Sequence, residues 1–590
     1  MIDQTISQLP HWAAQALRLP GVGILLDALK KDRIPMRLVH VPLKRVCSLA
    51  LALLPLVAVA GPPHQRNAEA DRPRVVITAD PELDDNNTII RAILYSSDVR
   101  LEGLIYVSSQ FHWRGDGRGT TQYIAGREYT RLGLCPCTSW RFAPDERFID
   151  NIVDAYAKVY LNLRIHDPDY PLPAELKSKI RWGNIDFEGD FSKDTDGSNL
   201  IKSLLLDNQP GPLYVTAQGG ESTIARALKS IYDQYAKTPQ WESVQEKVSR
   251  KLIIIPSGDQ DGTERSYIRP NWPGIRIYQF TGIDFGYLAQ KQAAAEDKKY
   301  FSSDWTRENI SERGPLGALY RVWGDGKQMV KGDRADYFGM SGYTPEQLKQ
   351  MGYMVWLAPQ PKGSFLGEGD TPTFLNLIDN GLRSYENPQW GGWGGWMYPG
   401  APTFSLYGAP PPIVPADTLG VARGLAPAGS DANKDNNPKK EPPADFSSFH
   451  FPPVPPRTAA IAARFLTAAQ NDFAARMQWS VTPKFNHANH PPVIRIKGPL
   501  AISASLGSTV QLHGEITDPD RNPVSARWWQ YNDAGTYPGD ITFSDPEALT
   551  TTFRVPDDAK PGQTINIILE ATDNGTPPLT RYQRVVVTIQ

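Results

Sequence analysis

The feature that most constrains this chain is the stretch Arg74-Val75-Val76-Ile77-Thr78-Ala79-Asp80-Pro81-Glu82-Leu83-Asp84-Asp85. An apolar run suited to a buried strand ends in a turn that packs Asp80, Glu82, Asp84 and Asp85 into six residues. Like charges this close repel, and burying them without a partner is costly. No lysine or arginine offsets them before Arg91. Carboxylate oxygens in such a loop suit a hard cation, calcium or magnesium. The competing reading is that the aspartates cap a helix start, where Asp is favoured. Ile89, Ile90, Ile93 and Leu94 then share one helical face. The order is strand, acidic turn, helix, and in open α/β sheets ligands bind beyond the carboxyl ends of the strands.

The alternation continues. Val75–Thr78, Leu101–Val107, Leu213–Thr216, Leu252–Ile255 and Ile275–Phe280 read as strands, with helical stripes such as Ile149, Ile152, Val153, Tyr156, Tyr160 and Leu163 between them. This pattern predicts an α/β domain over residues 72–400, an open, mostly parallel sheet with helices on both faces. Residues 401–457, rich in Pro, Ala, Asp and Lys, read as a flexible insertion that cannot bury a core. Residues 458–490 resume as a helix and connector. From 491 to 590, short β-rich runs alternate with turns and predict an all-β, immunoglobulin-like sandwich.

At 590 residues the chain is long enough for more than one domain. A formal charge of −2 gives no reason to expect a nucleic-acid partner. Lys44-Arg45, the apolar run Val46–Val59 and the exit Ala58-Val59-Ala60 describe a secretory signal over residues 36–60, with residues 1–35 an upstream extension. The run is too short and proline-broken for a comfortable transmembrane helix, so the expected location is secreted, extracellular or periplasmic, with a signal anchor the alternative. Three cysteines are too few for a disulfide framework; Cys135 and Cys137 read as two loop thiols or a local disulfide.

Thr78-Ala79-Asp80-Pro81-Glu82-Leu83-Asp84-Asp85 resembles the amino-terminal fingerprint of the nucleoside hydrolase superfamily, Asp-x-Asp-x-x-x-Asp-Asp, with Thr78 in place of the first aspartate. Gln218-Gly219-Gly220-Glu221-Ser222-Thr223 sits where that superfamily has Gly-Pro-Leu-Thr-Asn, and Glu368-Gly369-Asp370-Thr371-Pro372 resembles its late His-Asp-Pro segment, with Gly369 at the histidine position. More narrowly, the chain resembles a secreted, nucleoside hydrolase-like family described as cellulose-binding, catalogued as a domain of unknown function with a carboxyl-terminal immunoglobulin-like domain. Lys193-Asp194-Thr195-Asp196-Gly197-Ser198, Gly314-Pro315-Leu316-Gly317-Ala318, Trp393-Gly394-Gly395, Gln470–Met477, Trp528-Trp529-Gln530-Tyr531 and Asp573–Tyr582 carry this likeness, which covers residues 74–590 apart from the Pro-rich insertion.

The resemblance implies a calcium ion held by Asp80, Asp85, Asp370 and the Ser222 carbonyl, with Asp80 as general base and Asp84 binding sugar hydroxyls. It also implies a hydrolase of an N- or O-glycosidic bond tied to cellulose or another plant polysaccharide, or a non-catalytic carbohydrate binder that keeps the pocket. Glu368 is the acid nearest the replaced histidine and is expected to protonate a leaving group. Asp194, Asp259 and Asp261, beyond strand ends or before a helix, are expected to bind substrate, with helix capping the alternative for Asp194. Trp393, between Trp390 and Trp396 in a Gly-Gly-spaced run, reads either as a glucan platform or as a core plug.

Overall fold

A computed structural model describes residues 72–590 apart from 125–126, 132, 282–284, 401–412, 418–419 and 422–462. The expected extension and signal, residues 1–60, and most of the Pro-rich insertion lie outside the described residues. Strand β1, Arg74–Ala79, is buried along its whole length because its apolar run has no polar face. Val75, Ile77 and Ala79 enter one hydrophobic core, and Val76 enters another on the opposite face. A strand that feeds two cores belongs in the middle of a sheet. Helix α1, Leu83–Leu94, follows and buries Ile89, Ile90, Ile93 and Leu94.

The remaining elements of this domain are β2 (Arg100–Tyr106), helix α2 (Phe148–His166), β3 (Ile180–Trp182) and helix α3 (Asp196–Leu206). Then come β4 (Leu213–Ala217), helices α4 (Ser222–Tyr235) and α5 (Trp241–Lys251), β5 (Leu252–Pro256), β6 (Arg276–Thr281) and β7 (Trp396–Pro399). The seven strands run in the order β3-β2-β1-β4-β5-β6-β7. Every pairing is parallel except β6 with β7. Helices α1 and α2 contribute to one core, and α3, α4 and α5 to the other. Short β3 and the closing β7 are the strands that the hydrophobic pattern does not reveal: three and four residues are too few to show a period.

Helix α6, Leu466–Val481, is more than a connector. Phe465, Leu466, Phe473, Met477 and Trp479 enter the same core as α1 and α2. Arg476, fully buried, pairs with Asp98 at 2.7 Å and with Asp472 at 2.9 Å. The carboxyl-terminal strands form a three-stranded sheet, Val493–Ile496 beside Thr509–Thr517 beside Thr550–Arg554, and a four-stranded sheet, Ala501–Ala504, Thr580–Ile589, Thr564–Asp573 and Val524–Gln530 in spatial order. Both sheets share one core containing Trp528, while Trp529, on the opposite face of its strand, packs toward the α/β core. Tyr531, Ile568 and Tyr582 of the β part also enter that α/β core, so the described residues of the α/β and β parts belong to one compact unit.

Candidate functional site

The parallel ladder brings the carboxyl ends of β1, β2, β4 and β5 side by side. Asp80 follows β1 directly, so its side chain emerges at the crest of the sheet, and it is fully buried. Asp84 and Asp85 occupy the first turn of α1, and Asp85 Oδ1 accepts the Asp80 amide at 3.2 Å. Asp370 arrives from far along the chain because α1 holds its loop: Asn87 donates to the Gly367 carbonyl at 3.0 Å, and the Thr371 hydroxyl donates to Thr88 at 3.2 Å. Asp370 then lies against Asp85 and the Ser257 hydroxyl at the end of β5.

The group is strongly charged and short of partners. Neither carboxylate oxygen of Asp80, both buried, accepts a hydrogen bond of good geometry among the described residues. Asp84 receives the Gly369 amide at 3.1 Å and the Tyr287 hydroxyl at 3.2 Å, and Tyr287 also reaches Glu82 at 3.3 Å. Leu83, inside the acidic turn, packs with Trp323, Tyr337 and Phe338, so one wall of the site is apolar. Burial and then mutual repulsion with Asp370 push Asp85 well above the carboxylate range; burial and then Asp84 do the same to Asp370 and Glu82. Burial pushes Asp84 up to about 6. These are the conditions under which a bound cation lowers the free energy of the fold.

His112 is the residue that sequence reasoning missed. It is fully buried on the segment after β2, with Nδ1 at 3.4 Å from Asp80 Oδ2 and 3.9 Å from Glu82 Oε2. Asp80, Glu82 and His112 form one group spaced to hold a metal ion, and Glu82, Asp84 and Asp85 another. Burial, opposed by Asp80, keeps the imidazole below its ordinary pKa and therefore neutral near pH 7. The available signal was position: His112 lies just beyond a strand predicted to end at Val107. Tyr287, after β6, carried the same positional signal.

Other expected residues stand elsewhere. Glu368 points into the core rather than the site: Arg91 binds both its oxygens, at 2.5 and 3.2 Å, and Tyr320 and Thr371 donate to it as well. Both of its oxygens are committed to these partners inside the core, so it does not face the acidic group in the way the expected acid role requires. A side chain at position 369 would displace the Asp84 carboxylate, because a Cβ there would lie 2.5 Å from Asp84 Oδ2. Ser222 is the first residue of α4, with its amide on Asp261 at 2.9 Å and its hydroxyl accepting from Asn184. Its carbonyl therefore points along the helix axis. Asp261 is occupied by Ser222 and Thr263, and Asp259 by the amides of Glu264 and Arg265, so both order the β5 loop. Asp194 pairs with Arg226 at 2.6 Å and accepts from Ser230, away from the acidic group. Trp393 is fully buried in the shared core, with the Arg581 guanidinium 5.7 Å from its ring centre. It is a core plug and not an exposed glucan platform.

Comparison with known proteins agrees with this architecture. Residues 74–397 match the family described as cellulose-binding Sde182, nucleoside hydrolase-like domain, and residues 509–589 match cellulose-binding protein Sde0182, C-terminal domain. The first match spans more than half of the chain, and the chain belongs to this family. A solved structure from Saccharophagus degradans, described as a nucleoside hydrolase-related hypothetical protein associated with carbohydrate metabolism, is similar with a TM-score of 0.57. It shares 23% identity over 88% of this chain and 100% of its own, which shows a shared fold. No curated protein matches.

Proposed function

We propose that this family member is an extracellular, divalent cation-dependent hydrolase of a glycosidic bond, acting on an N- or O-glycoside linked to cellulose or another plant polysaccharide. The observation that carries the reading is Asp80: a fully buried carboxylate at the crest of the sheet, whose oxygens accept no hydrogen bond of good geometry among the described residues and which is surrounded by further carboxylates. The donor set fits a hard cation, since Asp80, Asp85 and Asp370 are buried carboxylates that repel one another. Calcium is the cation proposed, and Glu82 and His112 are additional donors within reach. When bound, such an ion acidifies and orients a water molecule.

The chain's own residues supply the rest. Asp80 accepts the proton of the attacking water. Asp84 and the Tyr287 hydroxyl bind vicinal sugar hydroxyls, and the surrounding carboxylates favour an oxocarbenium-like transition state. His112 replaces Glu368 as the group that exchanges a proton with Asp80 or the leaving group. The loss of a histidine at position 369 favours a substrate other than a purine nucleoside. The Cys135–Cys137 disulfide agrees with an oxidising compartment. No described helix is long and apolar enough to cross a membrane.

The test is a panel of nucleosides and cello- and xylo-oligosaccharides, with calcium, magnesium, manganese, zinc or chelator. Turnover that needs a metal and disappears in Asp80→Asn supports the proposal. Absence of turnover on every substrate, with carbohydrate binding retained, would establish the non-catalytic binder instead. Glu368's commitment to Arg91 is the feature that favours that second reading.

A further inference from the structure

A cleft of about 370 Å³ opens beside the acidic group, at the end of β3. Arg114, Trp182, Asn184, Asp186, Lys193 and Asp196 line it. Hydrogen bonds link its lining to the loops near the acidic group. Asn184 donates to the hydroxyls of Ser108, in the loop after β2, and Ser222, at the start of α4. Trp113, buried in a small aromatic core, anchors the segment that carries His112 on one side of it and Arg114 on the other. The two sites therefore share one loop.

The cleft has the makeup of a sugar subsite. Tyr106 stacks on Trp182 with centroids 4.1 Å apart and planes 15° from parallel, and the Tyr106 hydroxyl is itself fixed on Asp150 at 2.9 Å. The indole is held rigid from behind and meets the cleft with the surface that Tyr106 does not cover. The Arg114 guanidinium stands over the ring at 5.9 Å from its centre, at the outer limit of cation–π contact, and is itself partly exposed. Around this apolar face the polar groups balance. Arg114 and Lys193 are offset by Asp186 and Asp196, and Lys193 and Arg114 both pair with Asp186, at 2.5 and 3.7 Å. A phosphate or nucleic-acid site would carry net positive charge. A neutral site with one rigid aromatic face and a ring of donors and acceptors fits a neutral polyhydroxylated ring.

We propose that this cleft binds a glucose unit of a β-1,4-glucan, stacked on Trp182 and hydrogen-bonded by Arg114, Asp186, Lys193 and Asp196, and so holds the chain next to the acidic group. The proposal rests on the carbohydrate reading given above but not on catalysis. Calorimetric titration of the full chain with cellotetraose tests it. Saturable binding by the wild type is expected, about tenfold or more weaker in Trp182→Ala and largely recovered in Trp182→Tyr, because stacking supplies much of the affinity. Arg114→Ala, at a side chain 41% exposed, is expected to weaken binding with the fold intact. Absence of saturable binding by the wild type overturns the proposal, as does wild-type affinity in folded Trp182→Ala. Should Trp182→Ala not fold, unchanged affinity in both Arg114→Ala and Lys193→Ala overturns it. Binding through the cleft without turnover on any glycoside would remove only the hydrolase reading.

Discussion

Single residues in the acidic turn carry both the proposed chemistry and a cost. Asp85 repels Asp370, Asp80, Asp84 and Glu82, yet its Oδ1 accepts the Asp80 amide. Asp85→Asn keeps that acceptor and removes the charge, so the metal-free protein should be at least as stable as the wild type in thermal melts. The rise in melting temperature on adding calcium should disappear; a full rise in the variant would exclude Asp85 as a ligand. The pH dependence follows from Asp84, whose pKa burial pushes up to about 6. A carboxyl raised in the fold favours the folded state while protonated. Its contribution is therefore complete below about pH 4, the unfolded value, and is lost as pH rises to about 6. A cation opposes that loss, so the calcium-induced stabilisation should grow between about pH 4 and pH 7. A calcium shift independent of pH over that range would contradict the assignment. Four of these carboxylates were legible from sequence because they are adjacent in the chain. His112 was not, because nothing in Phe111-His112-Trp113 indicates which strand end it faces.

At the level of elements, the buried charges act as fasteners. Helix α6 is tied to α1 and to the β part through Arg476, Asp472 and Arg581, with Asp472 to Arg581 at 2.6 Å. Burial alone would raise the Asp472 pKa, but the two guanidinium groups hold it down at about 2. Arg476→Met removes the cation and leaves Asp98 and Asp472 buried. A loss of about 3–5 kcal/mol is expected in urea unfolding, the cost of an uncompensated buried charge. A change under about 1 kcal/mol would show that the cluster relaxes into water. Trp393→Ala, which opens a cavity in the shared core, should cost about 3–5 kcal/mol. At temperatures where the variant is folded, its cellulose retention should match the wild type; a selective loss of retention would restore the platform reading. The Gly-Gly spacing of these tryptophans was visible in the sequence, but spacing cannot tell a ring that faces water from one that faces a second domain.

For the whole molecule, the shared core makes a direct prediction. Tyr531, Ile568 and Tyr582 of the β part pack with Phe465 and Trp393, and backbone bonds join Asn380 and Gly381 to Tyr582 and Arg584. The α/β and β parts should unfold in one calorimetric transition, and a chain ending at residue 490 should not give a soluble, cooperatively folding domain. Two well-separated transitions would refute this coupling. By itself the sequence determined the parallel sheet, the acidic turn at the end of its central strand, the carboxyl-terminal β part and the family. Each of these is written in short-range pattern: alternation, helical period, adjacent charges, contiguous motifs. Only the tertiary structure decided which carboxylates face one another, that Glu368 belongs to Arg91, that Trp393 is a plug, and that His112 and the Trp182 cleft border the site. Those facts depend on loops that meet across four parallel strand ends, and the sheet order that brings them together joins residues hundreds of positions apart.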